Sequence, residues 1–95
     1  MVKKVAFITG GASGMGLAVA QALAARTNED WDLHLVDLNV DALKKAASSL
    51  KNAYSHQANV TDYASLTSAF ESAWAKSERL DFVFANAGIV ERDSA

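Results

Sequence analysis

The chain has 95 residues, 51% of them hydrophobic and 21% charged, a balance that belongs to a folded chain and not to a disordered one. Lys and Arg number 9 against 11 Asp and Glu, a formal net charge of −2, so no basic face is offered to a nucleic acid. There is no cysteine, which excludes disulfides, a thiolate nucleophile and a cysteine-built zinc site.

The length allows one small domain, which buries roughly 60–65% of its unfolded surface. Proline is absent too, which is unusual for a complete α/β domain with many loops. The start of the chain imitates a secretory leader, with Lys3 and Lys4, an apolar stretch, and small residues at Ala22 and Ala24. Gly10, Gly11, Gly14 and Gly16 break that stretch before it reaches the ~7 residues of a signal core. No segment approaches the ~18 apolar residues of a membrane helix. The expected compartment is cytoplasmic, where the Asn59-Val60-Thr61 sequon has no use.

In chain order, Lys3–Thr9 (KKVAFIT) is a short apolar run stopped by Gly10 and reads as a buried strand. Residues 14–26 follow as a helix rich in alanine, with Leu17, Ala20, Leu23 and Ala24 on one side. Residues 32–37 (DLHLVD) form a second strand. Asn39 is an N-cap, and Val40, Leu43, Ala47 and Leu50 repeat at helical spacing with Lys44, Lys45 and Lys51 on the wet side. Residues 53–59 make a weaker strand. Tyr54, Ser55, His56 and Gln57 are too polar for cover on both faces, so it belongs at a sheet edge. Asp62 opens a third helix with the stripe Leu66, Ala69, Phe70 and Ala73. Residues 80–86 (LDFVFAN) are the fourth and most apolar strand. The alternation predicts an α/β fold of four parallel strands joined by three crossover helices, right-handed by the usual chirality.

Between the first strand and first helix lies Thr9-Gly10-Gly11-Ala12-Ser13-Gly14-Met15-Gly16. A glycine loop that leaves a strand and enters a helix brings unpaired N–H groups to the positive end of the helix dipole, where a phosphate is stabilised. Glycine lets the backbone approach a pyrophosphate and supplies positive φ. The loop is not a Walker loop, since no Gly-Lys-Ser/Thr follows, nor does it fit G-x-G-x-x-G. Its spacing is G-x-x-x-G-x-G.

Within T-G-x-x-x-G-x-G, that spacing resembles the short-chain dehydrogenase/reductase family. Three further places agree. Asp37 ends the second strand, where the family reads the adenosine ribose. Asn59-Val60-Thr61-Asp62 is similar to the family's Asp-Val element beside the adenine, with Asn59 where Asp is usual. Ala85-Asn86-Ala87-Gly88 resembles the N-N-A-G element after the fourth strand, with Ala85 in place of the first Asn. The resemblance covers the whole chain. It implies a Rossmann-type sheet of order 3-2-1-4, whose winding reverses between strands 1 and 4 and opens a crevice there. The implied cofactor site is Gly10, Ser13, Gly14, Met15, Gly16, Asp37, Leu38, Asn59, Val60, Asn86, Ala87 and Gly88.

Asp37 would accept from both ribose hydroxyls and repel a 2′-phosphate. Ser13 and Leu38 stand where NADP-preferring members carry a basic residue, so NAD is the expected nucleotide. Asn59 is expected to face the adenine amino group through its side-chain oxygen. The family's chemistry is hydride transfer between the nicotinamide and an alcohol or carbonyl, with a Tyr-x-x-x-Lys pair as acid/base. Here Tyr54 is followed at four by Ala58 and Tyr63 by Thr67, so no such pair is present. His34 and His56 read as structural, and no nucleophile-elbow sequence supports a Ser/His/Asp triad. Residues 1–95 therefore read as the N-terminal half of a dinucleotide-binding domain, holding the adenosine and pyrophosphate site and catalytically incompetent alone. Leu80, Phe82, Val83 and Phe84 would lie on a bare edge, which predicts a homodimer through the fourth strand. Two other readings compete: a nucleotide-binding module without catalysis, and a self-associating fragment that binds nothing.

Overall fold

Alternation of period two decides which side chains of the sheet face which helix layer. In a computed structural model, which describes residues 3–85, strand β1 (Lys3–Thr9) leads through the glycine loop into helix α1 (Gly14–Ala24). Strand β2 (Asp30–Asp37), helix α2 (Val40–Ser48), strand β3 (Ala53–Gln57), helix α3 (Tyr63–Ser77) and strand β4 (Phe82–Phe84) follow. The four strands are parallel in the order β3-β2-β1-β4. Ala6, Ile8, Leu33 and Leu35 point to one face and pack with Ala20, Leu43 and Ala46 of α1 and α2. Phe7 and Val36 point to the other and pack with Ala69 and Ala73 of α3.

Each helix has a local cause. Asn39 accepts from Ala42 N–H and starts α2, and Asp62 accepts from Ala64 N–H and starts α3. α1 has no side-chain cap at Ser13. Its inner side is Gly16 and Ala20, with Leu17, Val19 and Leu23 partly buried. Ala24, expected in that stripe, is exposed at the last turn, beside the partly buried Leu23.

Four expectations are adjusted at the boundaries. The first helix ends at Ala24. β2 begins two residues early because Trp31 is buried with the α1–α2 core. β3 ends at Gln57, after which Ala58 N–H turns to the Asp37 carbonyl at 3.1 Å. β4 is only Phe82–Phe84. Leu80 is not an edge residue but packs under α3, and Phe84 packs against the α1–α2 core, so Phe82 and Val83 are the exposed pair. The short strand is held at its entry by Asp81, whose Oδ2 accepts from Val5 N–H at 2.8 Å while its own N–H donates to the Val5 carbonyl at 2.9 Å. Arg79 grips the same carboxylate with two nitrogens, at 2.7 and 2.9 Å.

Candidate functional site

The glycine loop crosses the carboxyl end of the sheet and is shaped by backbone demands. Gly10 and Gly14 have φ of 64° and 57°, a region that side chains with a Cβ rarely adopt. At Gly16 the reason is space, since a Cβ would stand 2.1 Å from the Gly10 carbonyl oxygen. Helix α1 therefore begins directly against the strand exit. A Cβ at Gly14 would meet nothing within 4 Å, so that side of the loop is open. Ser13 is extended and exposed, Met15 is exposed, and the first turn of α1 carries no acidic residue. The helix thus presents N–H groups and the positive end of its dipole without a side-chain partner at the cap, unlike α2 and α3.

Asp37 closes the other end of the arrangement. Its Oδ2 accepts from Ala12 N–H in the loop at 3.2 Å, and its Oδ1 accepts from Asn39 N–H at 3.3 Å. Each oxygen keeps acceptor capacity for a further donor. The cap of α2 is Asn39, so Asp37 is left to brace the loop. Leu38 beside it is 61% exposed, and its carbonyl accepts from Gln57 Nε2 at 3.3 Å. Sequence reasoning did not anticipate the contact between Asp37 and the loop, which a backbone N–H makes.

Asn59 departs from expectation. Its side-chain oxygen already accepts from Thr61 N–H at 3.0 Å and from Thr61 Oγ at 2.6 Å. Both lone pairs are engaged, so that oxygen does not face outward to a base amino group; the side chain presents its NH₂ instead. The Asn-x-Thr spacing carried this signal, since such an asparagine closes an Asx-turn on its own backbone. The Val60 side chain is partly buried and packs toward the α3 cluster. Asn86, Ala87 and Gly88 lie outside the described residues.

The two tyrosines form no acid/base pair. Tyr63 is 84% exposed at the start of α3. Tyr54 stacks on His34, and Lys76 Nζ lies 4.6 Å over its ring face rather than at its hydroxyl. Ser77, His34 and Asp32 do meet, but the hydroxyl sits between the other two: Ser77 Oγ is 2.8 Å from His34 Nε2 and donates to Asp32 Oδ2 at 3.3 Å. A nucleophile needs the histidine between hydroxyl and carboxylate, so this order does not activate the serine. Among the described residues no group of three or more His, Cys, Asp or Glu is placed to hold a metal, and no helix is long and apolar enough to cross a membrane.

A family model described as short chain dehydrogenase matches residues 4–95. The chain belongs to that family. A short-chain dehydrogenase/reductase, prx7, from Penicillium rubens is 45% identical over 78 residues, covering 82% of this chain and 27% of that protein. A 2-dehydro-3-deoxy-L-rhamnonate dehydrogenase (NAD(+)) from a Sphingomonas species is 33% identical over 84 residues, covering 88% of this chain and 32% of its own. Among solved structures, a short-chain dehydrogenase/reductase from Burkholderia phymatum in complex with NAD superposes with a TM-score of 0.82 at 28% identity, over 90% of this chain and 31% of that one. This short-chain dehydrogenase chain thus spans about a third or less of these relatives' length. Its sheet order and open glycine loop are the parts that the shared stretch contains.

Proposed function

We propose that residues 1–95 are the adenosine- and diphosphate-binding half of a dinucleotide-binding domain, in an oxidoreductase that moves hydride between NAD(H) and an alcohol or carbonyl. The observation that carries this reading is the open, uncapped start of α1 braced by Asp37. Backbone N–H groups near Ser13, Gly14 and Met15 would hold the diphosphate, with Gly10 and Gly16 making the close approach possible. Asp37 would accept from the ribose hydroxyls through its remaining lone pairs, and its charge disfavours a 2′-phosphate. Leu38, Asn59 and the Val60 backbone would border the base, and Asn86, Ala87 and Gly88 would close the crevice. The Burkholderia neighbour was solved with NAD, and a 3-ketoacyl-(acyl-carrier-protein) reductase from Brucella melitensis with NADH, which supports the same nucleotide here. Bound NAD supplies the hydride acceptor or donor. This chain's own residues bind and orient its adenosine end and offer no acid/base pair, so the 95-residue chain is inactive alone.

Calorimetric titration with NAD, AMP and NADP tests the reading. Asp37→Ala is expected to lose about 1.5–3 kcal/mol of NAD affinity, the scale of hydrogen bonds to a charged group. An unchanged dissociation constant removes Asp37 from the site, and no binding of any of the three leaves only the non-binding alternative.

The chain is further proposed to be cytoplasmic and to self-associate through β4. Val83 is 52% and Phe82 37% exposed on that edge. An apolar groove of about 320 Å³ beside it is lined by Phe7, Tyr63, Leu66, Thr67, Phe70 and Val83. A monomer in sedimentation at tens of micromolar rejects the homodimer.

A further inference from the structure

On its α3 side, β2 carries Asp32 and His34, 8% and 0% exposed, where its other side carries Leu33 and Leu35. These polar residues are threaded into one chain of hydrogen bonds. Ser77 Oγ of α3 donates to Asp32 Oδ2, so the same oxygen accepts from His34 Nε2. A proton on Nε2 leaves His34 Nδ1 bare, and it accepts from Nε2 of His56 on β3 at 2.8 Å. The donor order is therefore dictated from one end by the carboxylate, whose Oδ1 lies 3.4 Å from Lys3 Nζ. The charged or titratable groups around the histidine pair are Lys3 from β1, Asp32 from β2, Tyr54 from β3 and Lys76 from α3, with Asp30 beyond Lys3 at 3.9 Å.

One added proton, at Nδ1 of His56, leaves the bond between the two rings in place. A second sets N–H against N–H across the same short distance. Asp32 is already engaged by Lys3 and Ser77, and the other nearby cation is Lys76. We propose that this chain is an acid-operated latch on β3: neutral, it clamps the edge strand to β2 and α3, and charging the histidine pair releases it. β3 suits such release because it is five residues long and, among the described residues, has β2 as its only strand neighbour.

Burial, then His56 and Lys76, hold the His34 imidazole down at about 4 against the opposing pull of Asp32, and burial also lowers His56. The unfolded chain takes up protons on both rings near its ordinary value of about 6.5. The native state then binds fewer protons than the unfolded one, so the latch is whole above about pH 6.5 and weakens as pH falls toward about 4. Each withheld proton raises the opening constant by up to about tenfold per pH unit. Release reaches the carboxyl end of the sheet, since Ala58 N–H and Gln57 Nε2 bond the carbonyls of Asp37 and Leu38. The latch stands independently of what binds there.

The test follows the full chain by NMR from about pH 7 to pH 5. The His34 imidazole is expected to keep its neutral-form signals well below the ordinary titration range and that of His56 to titrate below its ordinary value, with amide protection factors across β3 falling while those of β1 hold. His56→Gln removes one titrating group yet keeps an N–H donor for His34, and is expected to flatten the loss across β3 to about half its slope on a logarithmic scale. Histidines titrating near their ordinary value overturn the proposal, as does β3 protection that falls only together with β1 or not at all. An unchanged slope in His56→Gln also overturns it. If that variant does not fold, the imidazole titration and exchange of the unaltered chain still decide.

Discussion

Against α1 and α2 the sheet presents Ala6, Ile8, Leu33 and Leu35, all fully buried, whereas against α3 it presents Phe7 and Val36 beside Asp32, His34 and Tyr54. The first face is apolar and closed by two helices. The second has, among the described residues, one helix, a hydrogen-bonded polar chain at one end and an open apolar groove toward β4. The glycine loop rests on the closed face, where Gly11 packs onto Leu35 and Gly11 N–H bonds the Val36 carbonyl at 3.1 Å. A phosphate cradle of the kind proposed for this loop needs amides held in fixed positions, and the loop rests on the side that cannot repack cheaply. The open face carries the features that can change: a strand edge, an apolar groove and a titratable pair.

Substitutions sharpen this contrast in descending order. Leu35→Ala, in the closed face, is expected to lower unfolding stability by about 3 kcal/mol in urea denaturation, from lost burial and the cavity beneath the loop. Gly16→Ala forces a methyl onto the Gly10 carbonyl and is expected to cost about 2 kcal/mol, with NAD binding lost in calorimetry because the loop must move. Val83→Ser, on the open face, is expected to change stability by less than about 0.5 kcal/mol while weakening self-association in sedimentation. Equal costs for Leu35→Ala and Val83→Ser would erase the distinction between the faces.

The sequence made the architecture legible where the periodicity was strong. KKVAFIT, the Asn39 and Asp62 caps and the Ala69–Phe70–Ala73 stripe all stand where their patterns put them. The edge position of β3 followed from its polarity, and the sheet order followed from the family resemblance. What was not legible depended on contacts between distant elements. Ala12 N–H meets Asp37 only once the β1 loop is set beside the β2 end, and neither residue announces the other. The histidines were read as structural one at a time, but register places His56 opposite Val36 and His34 opposite Tyr54, which lets the two rings meet. Asn59 misled because its family position outweighed a local fact, the threonine two residues on that takes its oxygen.

Asp81 makes a peptide-like pair with Val5 and is gripped by Arg79, a hydrogen bond that holds its carboxyl below the usual carboxylate range. Its charge, and with it the anchorage of β4, is therefore kept until pH falls below that of an ordinary aspartate. Among the described strands, the two outer ones then respond to acidification at different points. On the proposed latch, fraying starts at the β3 end while Asp81 keeps β4 tied to Val5.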